Sequence, residues 1–159
     1  MRNTTTQQHR SSNLKSFLNP AEAKRLILRE FDFLEEYEFK IVDVTEMPYV
    51  SITYQNPTTA LKIGYEPRDR GVFVLLIRLV DGEIPPYPIH IRPADGLNMF
   101  YLDDLVTFRA KESETSDVCE RPPKESIAHA ASALQTCATD VLRGDFDVFM
   151  ELDKIVKSR

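Results

Sequence analysis

Residues 49–80 read YVSITYQNPTTALKIGYEPRDRGVFVLLIRLV. Val50, Ile52 and Tyr54 alternate with Ser51, Thr53 and Gln55, which is the period of a half-buried strand. Asn56-Pro57-Thr58-Thr59 is turn chemistry. Leu61, Ile63 and Tyr65 then alternate with Lys62, Gly64 and Glu66, and a second turn, Pro67 to Gly71, follows. Val72–Val80 is apolar on both faces. Phe73, Leu75, Ile77 and Leu79 lie on one, and Val72, Val74, Leu76 and Val80 with Arg78 on the other. We place Phe73, Leu75 and Ile77 on the face that also carries Val50, Ile52, Tyr54, Leu61, Ile63 and Tyr65, packed against helices. With Glu38–Glu46 as a preceding strand, four strands fill 38–80. Short connections between consecutive strands imply an antiparallel meander. The two-faced fourth strand also requires partial cover on the second face.

On the N-terminal side, Asn19, Pro20 and Glu22 form an N-cap, a proline at N1 and a capping-box glutamate. Ala23, Ile27, Phe31 and Leu34 recur at helical spacing, predicting a helix from Pro20 to about Glu36. Glu35 and Glu36 would then oppose the helix dipole in the last turn, a local conflict that marks either an acidic site or a tolerated surface. Glu30 lies at the border of the apolar arc. Residues 1–18 are polar, with Leu14, Phe17 and Leu18 as the first docking candidates; they are expected to form a flexible tail. Residues 19–159 form a single domain, since 159 residues suit one core.

On the C-terminal side, residues 81–98 (DGEIPPYPIHIRPADGLN) form a long loop holding four of the ten prolines, a length that often serves function. Ile89–Arg92 is a candidate short strand within it. Helices are expected over Tyr101–Lys111, Pro123–Arg143 and Phe146–Lys157, with a charged linker at 112–122. Gly144 stops the second helix and Asp145 caps the third. The fold class is α+β: an N-terminal helix, a four-stranded antiparallel meander, and three C-terminal helices packed on the sheet.

Charge narrows the partners. The chain has 20 basic and 25 acidic side chains, but residues 1–18 hold three bases and no acid, so the body is net −8. Phosphate contacts supply most nucleic-acid affinity, so such a body is a poor nucleic-acid binder. It suits a basic protein, whose approach it would steer. The N-terminus lacks an apolar leader and no apolar run approaches bilayer length, so a cytoplasmic protein without membrane contact is expected. Two cysteines, Cys119 and Cys137, do not make a disulfide framework.

No familiar chemistry stands out. The histidines are His9, His90 and His129; no HExxH or CxxC pairs them with another ligand, so no metal or cofactor is expected. Five glycines form neither a phosphate cradle nor a GxSxG elbow. Cys137 reads as a small core residue. Cys119 sits between Asp117 and Glu120, which disfavour a thiolate nucleophile.

The stretches EFDFLEEYEFKIVDV (30–44), YVSITYQN (49–56), LKIGYEPRDRGVFVLLIRL (61–79) and LRGDFDVFMELDKIV (142–156) resemble small bacterial proteins of the polymorphic-toxin immunity type. The resemblance covers about residues 25–158 and carries over no functional residue. It implies a protein-binding module that binds and blocks a cognate toxin. A structural or regulatory subunit, or an enzyme with an unrecognised site, are the alternatives. The residues expected in or beside the partner contact are Asp103, Asp104, Asp117 and Glu120. They belong to a run of six acids within 18 residues, opposed by Arg109 and Lys111.

Overall fold

Asn19 Oδ1 accepts the Glu22 amide at 2.9 Å, and Pro20 opens helix α1 (Pro20–Glu30). The computed structural model describes residues 18–68, 71–86, 98–113 and 123–157. The expected tail over 1–17, the strand at Ile89–Arg92 and most of the charged linker lie outside those residues. Leu18, one of the tail residues expected to dock first, is buried, and its amide donates to the Tyr65 hydroxyl at 3.3 Å.

α1 is shorter than its apolar spacing predicts. It ends at Glu30 with Arg29 in its last turn, where the dipole favours a base. A separate 3-10 segment, Asp32–Tyr37, carries Glu35 and Glu36. Glu38 follows in the left-handed region, φ 66°, and turns the chain into the sheet. The predicted clash of acids with the helix end is thus avoided by ending the helix early.

The sheet is antiparallel throughout: β1 (Lys40–Thr45), β2 (Val50–Gln55), β3 (Thr59–Glu66), β4 (Gly71–Arg78) and β5 (Met99–Tyr101), in that spatial order. The meander therefore has five strands and not four. Tyr101, expected to begin a helix, ends β5, and helix α2 starts one residue later (Leu102–Ser113).

The faces of β4 are the reverse of the expectation. Tyr65 pairs with Val72, Ile63 with Val74 and Leu61 with Leu76. Val74 and Leu76 thus join Val50, Ile52, Tyr54, Leu61, Ile63 and Tyr65 in the main core. Phe73, Leu75 and Ile77 point to the other face, where Leu75 and Ile77 form a smaller cluster with Ala60 and Leu79. The reason is parity. Four residues separate the paired Glu66 and Gly71, and an even count couples odd positions on β3 to even positions on β4. A one-residue slip exchanges the two faces of a strand.

Helices α1, α2 and α3 (Pro123–Cys137) cover one face of the sheet, α1 over β2 and α3 over β4. Ile27, Ile63, Leu105, Ile127 and Leu134 are fully buried between the layers; each such side chain contributes roughly 1.5–3 kcal/mol of apolar transfer. The expected single helix to Arg143 is interrupted at Ala138, and a short α4 (Thr139–Leu142) follows. Arg109 of α2 meets the chain at this break. Its guanidinium donates to the Cys137 carbonyl and pairs with Asp140 at 2.6 and 3.1 Å. A side chain that enters the backbone ladder in this way bends or splits a helix. α5 (Asp147–Lys157) closes the layer, with Phe149 edge-on to Phe100 of β5 at 5.0 Å. Asp145 Oδ1 accepts the Asp147 amide at 3.0 Å, as a cap should.

Asn56 ties the ends together. Its Oδ1 accepts the amides of Thr58 and Thr59, while Nδ2 donates to the carbonyls of Tyr37 and Leu142. The β2–β3 turn is thereby fixed to both the 3-10 segment and α4.

Candidate protein-binding surface

β1 is an outer strand of the sheet and, among the described residues, pairs only with β2. α1 reaches over β2, and Phe39, just before β1, is the last residue of this segment to be buried. Beyond it the cover stops. Ile41 is 47% exposed, Val42 53%, Val44 40% and Met47 76%. Four large apolar side chains thus face solvent within seven residues. An outer strand offers unpaired backbone donors and acceptors as well, which makes it a template for another strand. A bulge at Val42 shapes it: Ile41 opposes Tyr54, whereas Asp43 already opposes Thr53. The extra residue raises the local twist and shortens the regular edge.

One end of β1 borders a groove of about 740 Å³, lined by Glu35, Glu38, Phe39, Lys40, Val42 and Pro57 among others. Glu35, Glu36 and Glu38 are exposed and make no ion pair among the described residues. At the other end Glu46 pairs with Lys24 at 3.0 Å. Glu30, the border residue of α1, is paired with Arg29 at 2.9 Å and is not a buried carboxylate in search of a partner.

Asp103 and Asp104 stand exposed in the first turn of α2, directly after β5. They therefore lie at the opposite margin of the sheet from β1, roughly 19 Å away by strand spacing. Arg109, expected to oppose them, pairs with Asp140 of α4. Asp117 and Glu120 lie outside the described residues, as do His9, His90 and Cys119. His129 is exposed on α3 and Cys137 is half-buried. Among the described residues no three His, Cys, Asp or Glu side chains could hold a metal ion.

The sheet face away from the helices carries a second groove of about 740 Å³. Lys62 Nζ sits 5.9 Å from the centre of the Tyr49 ring, which is edge-on to Phe73 at 6.0 Å. Thr53, Met99 and Tyr101 are among its other wall residues. On the helical face, burial pushes the Tyr54 phenol from its usual 10 up to about 12, because desolvation disfavours the phenolate.

The sequence reading missed Ile41, Val42, Val44 and Met47 as surface residues. The available signal was positional: the first strand of a meander is an outer strand, and Lys40–Thr45 places apolar residues on both of its faces. No helix among the described residues is long and apolar enough to cross a membrane. Comparison with protein-family models, with curated proteins and with solved structures finds no match to this chain.

Proposed function

We propose that this chain is a protein-binding module, and specifically an immunity-type inhibitor that binds and blocks a cognate toxin. The observation that carries this reading is the exposed apolar edge formed by Ile41, Val42, Val44 and Met47. Large apolar side chains left exposed along the outer strand of a sheet mark an interaction site. The net −8 body favours a basic partner, and Asp103 and Asp104, with Asp117 and Glu120 beside them in sequence, are assigned to steering its approach.

Co-expression tests the reading. The product of the gene immediately upstream is produced in a heterologous host with and without this chain. Growth arrest by that product, relieved when this chain is present, is the expected result. Absence of arrest, or arrest undiminished by folded and abundant chain, overturns the immunity assignment.

A further inference from the structure

Residues 35–46, EEYEFKIVDVTE, hold five carboxylates and a single amine, net −4 in twelve residues. Within that acidic frame runs β1, an outer strand whose apolar side chains project to solvent on both faces. Ile41 and Val44 oppose Tyr54 and Ile52, on the helix side; Val42 and Asp43 lie at Thr53, on the other side. The acids are not self-satisfied. Glu46 has Lys24 and Asp43 accepts from the Thr45 hydroxyl at 3.3 Å, but Glu35, Glu36 and Glu38 have no cationic partner among the described residues. Two of them, Glu35 and Glu38, shape the groove into which Val42 faces.

We infer that β1 accepts an extended segment of a partner protein as a sixth strand, with β-branched or aromatic side chains over Ile41, Val42 and Val44 and a Lys or Arg cluster over Glu35 and Glu38. The inference rests on the binding-module reading and names the partner's chemistry. Strand addition draws affinity from main-chain hydrogen bonds and specificity from alternate side chains. Both are available here, the first from an edge that is unpaired among the described residues and the second from the apolar residues and the groove. Charge decides between occupants. A second copy would set two net −4 segments against each other, and juxtaposed like charge works against association. A segment with basic flanks meets complementary charge instead. The bulge at Val42 limits the regular ladder to a few residues, so the edge suits a short specific segment over open-ended stacking.

A phage-displayed library of random twelve-residue segments, panned against the full chain, tests this. The expected winners carry alternating β-branched or aromatic residues with Lys or Arg at one end. A synthetic copy of a winner should slow amide hydrogen exchange over residues 41–45. Double reversal Glu35→Lys, Glu38→Lys should weaken it about tenfold, the sum of two surface pairs turned repulsive, and the reversed chain should select acid-flanked segments. The inference is overturned by a library that yields no binder, by winners without basic flanks, by protection elsewhere than β1, or by a dimer that protects β1 without any segment. The growth assay separates this from the broader reading: relief of arrest by the parent chain, together with protection elsewhere than β1, rejects the β1 edge and leaves the inhibitor assignment standing.

Discussion

A Cβ placed on Gly64 would stand 2.2 Å from Cζ of Phe73. The contact atom is the far end of a half-exposed ring, so the ring would swing aside before the strands part. Its edge contact with Tyr49 would be lost, worth about 0.5–1.5 kcal/mol, while alanine gains roughly 0.5–1 kcal/mol over glycine in a strand. Gly64→Ala is therefore expected to change stability by less than about 1 kcal/mol, yet to shift the Tyr49 ring resonances clearly. Urea unfolding and NMR read the two halves of that statement; a loss of several kcal/mol would mean the ring is fixed. Gly144 and Gly82 differ in kind, because both have positive φ, 87° and 77°. Gly82→Ala meets nothing within 4 Å and should cost the left-handed backbone term alone, about 1–2 kcal/mol. Gly144→Ala adds a 2.9 Å approach to Thr58 Oγ1 and should cost more. Tyr54 supplies a pH dependence. Its folded pKa of about 12 exceeds the usual 10, so its contribution is complete below pH 10 and is lost as pH rises towards 12. Tyr54→Phe should flatten the stability profile in that alkaline window; an unchanged slope would show that another group sets it.

At the scale of elements, most of the layout was legible because periodicity records burial. Residues 50–66 alternate in sequence and both strands there stand where expected, although the small residues Ser51, Thr53 and Gly64 on the second face are buried too. Where a strand is apolar on both faces, alternation carries no orientation, and β4 was assigned backwards. Counting the residues between Glu66 and Gly71 would have corrected it, since an even connection couples opposite parity. β5 was invisible for another reason: three residues, Met99–Tyr101, are too short to show a period, and they run straight into α2. The break at Ala138 coincides with a long-range partner. Arg109 lies 28 residues from Cys137, and no local propensity announces that its guanidinium will take that carbonyl. Of the candidate acidic residues, Asp103 and Asp104 occupy the helix start, where a first-turn and a binding role look alike in sequence. Arg109 also yields a measurable coupling. Its two contacts to Asp140 join side chains about 30% exposed. A double-mutant cycle with Arg109→Ala and Asp140→Ala should return roughly 1 kcal/mol, the upper end for a partly exposed pair with good geometry. A coupling near zero would remove the ion pair from the account of the break and leave only the carbonyl contact.

For the whole molecule, the sheet separates two acidic regions that sequence alone would merge into one acidic surface. Glu35, Glu36 and Glu38 flank β1 at one margin; Asp103 and Asp104 follow β5 at the other. Roughly 19 Å of sheet between them exceeds the Debye length of about 8 Å at physiological salt. The two regions should therefore act at different stages of binding. Charges beside the contact hold the complex once formed, and charges remote from it act on the encounter. With the partner found by co-expression, Asp103→Lys, Asp104→Lys should slow association at low salt, and the difference from the parent chain should shrink as salt approaches 0.15 M. Its dissociation rate should stay near that of the parent. Glu35→Lys, Glu38→Lys should behave in the opposite sense, mainly raising the dissociation rate, with an effect that survives at physiological salt. Stopped-flow association across a salt series, together with dissociation by displacement, distinguishes the two. If the Asp103 and Asp104 reversal instead accelerates dissociation while the Glu35 and Glu38 reversal leaves it unchanged, the contact lies at the α2 margin and β1 is the bystander.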